Sequence, residues 1–124
     1  MKRFALLAMI FCLALSLIGC SSEYDNTRVK VIVQTENIIE GVLKSPATAQ
    51  FCKSNEYTVG INREAGLALI GGYVDSQNGF GAMIRTEFAL EFDINNPDSY
   101  KLVFAKLGEE TYGELIVADF EPLK

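Results

Sequence analysis

The hydrophobic period of this chain changes once, at Ser45-Pro46, and that change limits the folds open to it. Before it, in residues 27–44 (TRVKVIVQTENIIEGVLK), Ile32, Val33, Ile39, Val42 and Leu43 fall near the i, i+3, i+4, i+7 spacing of an amphipathic helix. Lys30, Gln34, Glu40 and Lys44 take the other face. The alternation of Val29, Val31 and Val33 competes as the start of a strand, but ENIIEGVLK has no strand character, so the segment predicts helix. Pro46 ends it, because a proline ring pushes the preceding residue out of the helical region.

After Pro46 the period is two, with turn residues between the runs. Strands are predicted over 56–61 (EYTVGI), 67–74 (LALIGGYV), 81–92 (GAMIRTEFALEF), 100–106 and 114–120. NREAG at 62–66 reads as a turn in which Gly66 supplies a positive φ. DINNPDS at 93–99 and LGEETYG at 107–113 read as connections. Gly71 and Gly72 inside a strand predict a bulge or a close approach of another backbone. One N-terminal amphipathic helix followed by an antiparallel meander of four to five strands defines an α+β domain, with the helix covering one sheet face. The stripe Ile32, Ile39 and Leu43 and the rings of Phe88, Phe92, Phe104 and Phe120 are the core candidates.

The first twenty residues, MKRFALLAMIFCLALSLIGC, are of another kind. Lys2 and Arg3 precede an apolar run over 4–18, an h-region length and too short for a spanning helix of about 20 residues. The run ends in Leu17-Ile18-Gly19-Cys20, which resembles the lipobox of bacterial lipoprotein signal peptides. The resemblance implies a diacylglyceryl group on the Cys20 thiol, cleavage before Cys20, and an envelope protein held to a membrane by palmitate-type chains. Ser21, rather than Asp, implies the outer membrane in a Gram-negative cell; in a Gram-positive cell the site is the outer face of the plasma membrane. The chain then divides into a signal peptide (1–19), the lipidated Cys20 with a polar tether (20–27), and one domain (28–124).

Without the signal, 16 acidic residues exceed the basic ones by 7, since Lys2 and Arg3 leave with it. Such a balance argues against nucleic acid and against peripheral adhesion to anionic lipid. Of three cysteines, Cys12 leaves with the signal and Cys20 carries lipid, so Cys52 has no partner for an intramolecular disulfide and reads as a small buried hydrophobe beside Phe51. The chain has no His, which removes the usual general base and the commonest metal ligand. The expectation is a protein that is not an enzyme and needs no cofactor or metal.

The polar residues concentrate in GGYVDSQNGFGAMIRTEF, residues 71–88. Asp75, Ser76 and Asn78 are residues that bond to nearby backbone, and Asn78-Gly79 is a turn dipeptide tolerant of positive φ. A hairpin connection explains most of these letters. The functional reading is an exposed binding patch of Tyr73, Asp75, Gln77 and Asn78 on or beside the loop, with Arg85 and Glu87 on the next strand, two apart and so on one face. An ion pair from Asp75 to Arg85 across the hairpin would fix the loop. A carboxylate pair of Asp75 and Glu87 would suit glycoside hydrolysis, but nothing marks either as buried. Neither this loop nor the Asp93, Asn95, Asp98 loop has a calcium ligand pattern.

The strings LKSPATAQF (43–51) and GYVDSQNGFGAMIR (72–85) resemble a small domain of short secreted, lipid-anchored and phage-encoded bacterial proteins. The similarity covers roughly residues 28–92, and Cys52 departs from it. It implies domain identity rather than an activity. The readings are therefore a lipid-anchored binding or accessory module with an envelope protein partner, a prophage-type superinfection-exclusion lipoprotein, a cell-wall hydrolase, or a structural envelope protein.

Overall fold

The computed structural model describes residues 22–124, so the signal segment and Cys20 lie outside the described residues. Helix α1 (Ser22–Val42) is followed by a short 3-10 turn (Pro46–Thr48). Seven strands come next: β1 (Gln50–Phe51), β2 (Thr58–Asn62), β3 (Leu67–Gln77), β4 (Met83–Asp93), β5 (Lys101–Leu107), β6 (Glu110–Gly113) and β7 (Glu121–Leu123). The sheet is antiparallel in the order β6-β5-β4-β3-β2-β7, with β1 paired to the upper part of β3. Strands β2 to β5 match the first four expected strands, β6 continues the meander, and the α+β architecture holds. Strands β1 and β7 are additions, and β6 falls inside the segment read as a connection.

The helix differs from its expected form in two ways. It begins at Ser22, so the segment read as a tether is helical from that residue on. Its buried residues are Val31, Ile32, Thr35 and Ile39, while Val33 and Val42 face solvent. The stripe of Ile32, Ile39 and Leu43 packs on the sheet as expected, with Val31 and Thr35 buried beside it in place of Val33 and Val42. Polar bonds pin the helix along its length. Arg28 donates to the Ser54 and Tyr57 carbonyls, Gln34 to the Tyr100 carbonyl, and Tyr57 donates through its hydroxyl to Glu36 Oε1 at 2.6 Å. Burial and the Glu36 carboxylate together push the Tyr57 phenol well above its ordinary range.

The core lies between α1 and one sheet face, where Val59, Ala68, Ile70, Val74, Phe88, Leu90 and Phe92 meet Val31, Ile32 and Ile39. Cys52 is buried in the same cluster, in line with its reading as a small hydrophobe. Gly72 sits on this face with no bulge in β3, whose pairing to β4 runs unbroken from 67 to 77. Rings, not backbone, fill the space: an added Cβ would meet Tyr57 Cδ1 at 2.9 Å and Phe88 Cζ at 3.0 Å. Gly72→Ala should therefore overpack the core and cost about 1–3 kcal/mol in chemical denaturation; an unchanged midpoint would show that the rings are not in contact there.

The expected fifth strand at 114–120 does not form. That segment leaves β6 at one edge and crosses the opposite, outer face of the sheet to reach β7 at the other edge. Ile116 N–H donates to Glu91 Oε1 at 2.9 Å, the Asp119 carbonyl accepts from Asn62 at 2.8 Å, and Phe120 packs over Gly60. The crossing buries Glu91 completely, and explains why Phe104 and Phe120, on this outer side, are half-buried rather than core. Glu91→Ala removes the acceptor that clasps the crossing, so the Ile116 amide should exchange about tenfold faster, as expected from loss of roughly 1.5 kcal/mol of a charge-assisted bond. Unaltered exchange would mean that Phe120 alone holds the segment.

Candidate functional site

Strand β3 continues through Gln77, so Tyr73, Asp75 and Gln77 are strand residues rather than loop residues. Alternation puts all three on the outer face, together with Arg85 and Glu87 of β4. The crossing segment covers the lower half of that face and leaves this upper half open. Register places Asp75 opposite Arg85 and Tyr73 opposite Glu87. Two bonds fix the backbone alternation. Cys52 N–H donates to the Tyr73 carbonyl, and Gly108 N–H donates to the Glu87 carbonyl. Both carbonyls point away from the β3–β4 ladder, so these are the non-hydrogen-bonded pairs, whose side chains lie closest.

The anticipated ion pair forms. Arg85 donates through Nε to Asp75 Oδ1 and through Nη2 to Asp75 Oδ2, both at 2.9 Å. The guanidinium carbon stacks 3.8 Å from the centre of the Tyr73 ring. Tyr73 in turn donates through its hydroxyl to Glu56 Oε2 at 3.1 Å, and the same oxygen accepts the Lys53 N–H at 2.7 Å. Asp75, Arg85, Tyr73 and Glu56 thus form a continuous array along one exposed face. Glu56 was not visible as a member in the sequence, because it lies 17 residues from Tyr73 with no local pattern linking them.

The array sets the charge state of its members. The bond from Arg85 holds the Asp75 carboxyl below the usual 3.8, and raises the guanidinium further. The Lys53 N–H lowers Glu56 below the usual 4.5, while burial and the bond to Glu56 raise the Tyr73 phenol. Both carboxylates are depressed in the folded state, so their contribution to stability is complete above about pH 4.5 and is lost as pH falls through the depressed values. Carbon-detected NMR should find Asp75 titrating below 3.8 and returning toward it in Arg85→Ala; a midpoint at or above 3.8 in the wild type would contradict the bidentate pair.

Asn78 has a different task. Its Oδ1 accepts the Phe80 and Ala82 N–H groups, and its own N–H donates to the Ala82 carbonyl. It closes the hairpin tip. The positive φ that the turn needs is supplied at Gly81 (80°) and not at Asn78-Gly79; at the 62–66 turn Gly66 supplies it as expected. Phe80 stands at the tip, 98% exposed. Gln77 is exposed, with its backbone N–H tied to Thr48 Oγ1. Glu87 lies opposite Tyr73 and does not face Asp75 as a carboxylate partner. In the other acidic loop, Asp93 Oδ1 accepts both the backbone and side-chain N–H of Asn95, a turn arrangement.

Comparison with known proteins finds no matching family model, no matching curated protein and no matching solved structure.

Proposed function

We propose that this chain is a small lipid-anchored envelope protein that binds another component rather than catalysing a reaction. The observation that carries the reading is the bidentate Asp75–Arg85 pair, stacked on Tyr73 and braced by Glu56 on an open sheet face. Its side chains are fixed in advance, so binding through them costs little further ordering. The lipobox at Leu17 to Cys20 supports membrane attachment through lipid. Helix α1 begins two residues after Cys20 and extends roughly 30 Å, enough to carry the hairpin end of the domain away from a bilayer. The excess of acid favours a protein or polar glycan partner over nucleic acid. A hydrolase using Asp75 and Glu87 fits less well, because both Asp75 oxygens are engaged by Arg85 and its carboxyl is held ionised.

A photo-crosslinking residue at position 77 should trap one envelope component in intact cells. The same residue at Glu40, on the exposed side of α1, should trap none. Asp75→Ala should reduce the position 77 adduct at least about tenfold, the effect of losing a preorganised charged contact. An equal pattern of adducts from both positions, insensitive to Asp75→Ala, would refute the reading. A superinfection-exclusion role would appear as a phage-encoded or phage-receptor component in that adduct.

A further inference from the structure

Strand β4 is longer than the neighbour on its far side. It pairs with β3 over its whole length, from Met83 to Asp93, but with β5 only from Phe88 onward. Strand β5 ends at Leu107, and the chain turns through Gly108 and Glu109 into β6. Among the described residues, Met83 to Thr86 therefore have no strand on that side. The Glu87 carbonyl points toward β5, where it accepts the Gly108 N–H. By alternation the N–H and C=O groups of Arg85 and Met83 point the same way, into the opening. The notch is four residues long, or roughly 13 Å.

Both faces of the notch are grooved. On the outer face a cavity of about 570 Å³ runs between Arg85, Glu87, Lys106 and Glu109. On the helix face a second, of about 370 Å³, runs between Val42, Leu43, Ile84 and Leu107, with Lys44, Glu109 and Glu110 also lining it. An open ladder of backbone groups flanked by one polar and one apolar groove matches the requirements of strand addition: main-chain bonds to the edge, with alternate side chains to either face. Natural sheets normally blunt such an edge, and here Ile84 and Met83 leave it half apolar and open.

We propose that the Met83–Thr86 edge of β4 receives an extended peptide segment of a partner protein, one that alternates apolar and basic side chains. The apolar positions enter the groove of Val42, Leu43, Ile84 and Leu107. The basic positions lie on the outer face, where Arg85 is already engaged by Asp75 and the remaining charges are Glu87 and Glu109 against Lys106. A second copy of this chain is disfavoured, because two molecules with the same acidic excess would be brought edge to edge. The inference rests on the reading of the protein as a binding module, and it names the part of the surface and the chemistry of the partner.

The test uses the full chain, labelled with 15N, in detergent micelles. Three synthetic heptapeptides serve as probes: one alternating valine and lysine, one alternating valine and glutamate, and one with the valine–lysine composition in blocks. The alternating valine–lysine peptide should slow exchange of the Met83 and Arg85 amides about tenfold or more, leaving the Ile84 and Thr86 amides, which face β3, unchanged. The other two peptides should not. In the exposed charge-reversal variant Glu87→Lys with Glu109→Lys, the preference should pass to the valine–glutamate peptide. No slowing at Met83 and Arg85 with any probe would overturn the strand-addition site while leaving the position 77 crosslinking result to decide the binding reading separately. Protection of the same amides without peptide, growing with protein concentration, would also overturn it, since the edge would then be covered by a second copy.

Discussion

Replacing Phe92 by alanine should bring this domain close to unfolding at growth temperature. Phe92 is fully buried on the helix face of β4, the largest of the fully buried side chains among the described residues. It lies beside the register shift between β4 and β5, opposite Leu102. A Phe→Ala cavity of this kind costs about 3–5 kcal/mol. A domain of this size has a total stability of only about 5–15 kcal/mol. At about 4–8 °C per kcal/mol, the thermal midpoint should fall by roughly 12–40 °C. Val117→Ala provides the contrast, since Val117 is 91% exposed on the crossing segment and should shift stability by less than about 0.5 kcal/mol. Denaturation curves in which the two variants behaved alike would mean that the core does not lie between α1 and the β3–β4 face.

The second large effect is expected at Cys20. Substituting Cys20→Ala removes the only thiol in the Leu17-Ile18-Gly19-Cys20 string. Metabolic labelling with a palmitate analogue should fall to background, and a slower-migrating precursor should accumulate, because cleavage before residue 20 follows acylation in the proteins that this string resembles. Cys52→Ala should leave labelling intact, since its thiol is buried in the core cluster. The difference in attachment is large because each buried lipid methylene contributes about 0.8 kcal/mol, so two or more acyl chains hold where one releases. Full labelling of Cys20→Ala would place the lipid elsewhere or remove it from the account.

The sequence carried the change of period at Pro46, the helix, the three long central strands and the Asp75–Arg85 pair, because each of these depends on residues near one another or on simple alternation. Other features depended on what lies across the sheet. Asp75 and Ser76 carry turn chemistry, yet β1 and β4 pair with β3 around them and hold them extended. The run Leu115, Ile116 and Val117 has strand composition, but these residues are exposed and the segment crosses the sheet instead of joining it. Glu91 looks like an ordinary solvent-facing strand residue until the crossing segment covers it. Strand β1 is two residues long and has no periodicity to detect. The notch beside Met83 exists only because β5 ends before β4 does, which is a matter of register and not of any local motif.

The site was legible in part for the same reason. The Asp75–Arg85 pair across the hairpin could be read from the sequence, whereas the outward placement of Tyr73 and Asp75 needs β3 to run on to Gln77, and Glu56 joins them through a contact that closes only when the 53–57 turn folds against β3. Asn78, grouped with them by its position, serves the hairpin tip through its bonds to Phe80 and Ala82.

On the function proposed above, attachment through Cys20 presents this acidic α+β domain at a membrane surface, and the mature N-terminus tests that proposal most directly. Intact-mass and N-terminal peptide analysis of the protein from its native membranes should find a polypeptide beginning at Cys20, heavier than its sequence mass by a thioether-linked diacylglyceryl group. A chain beginning at Met1 with its Cys20 thiol unmodified would contradict the account.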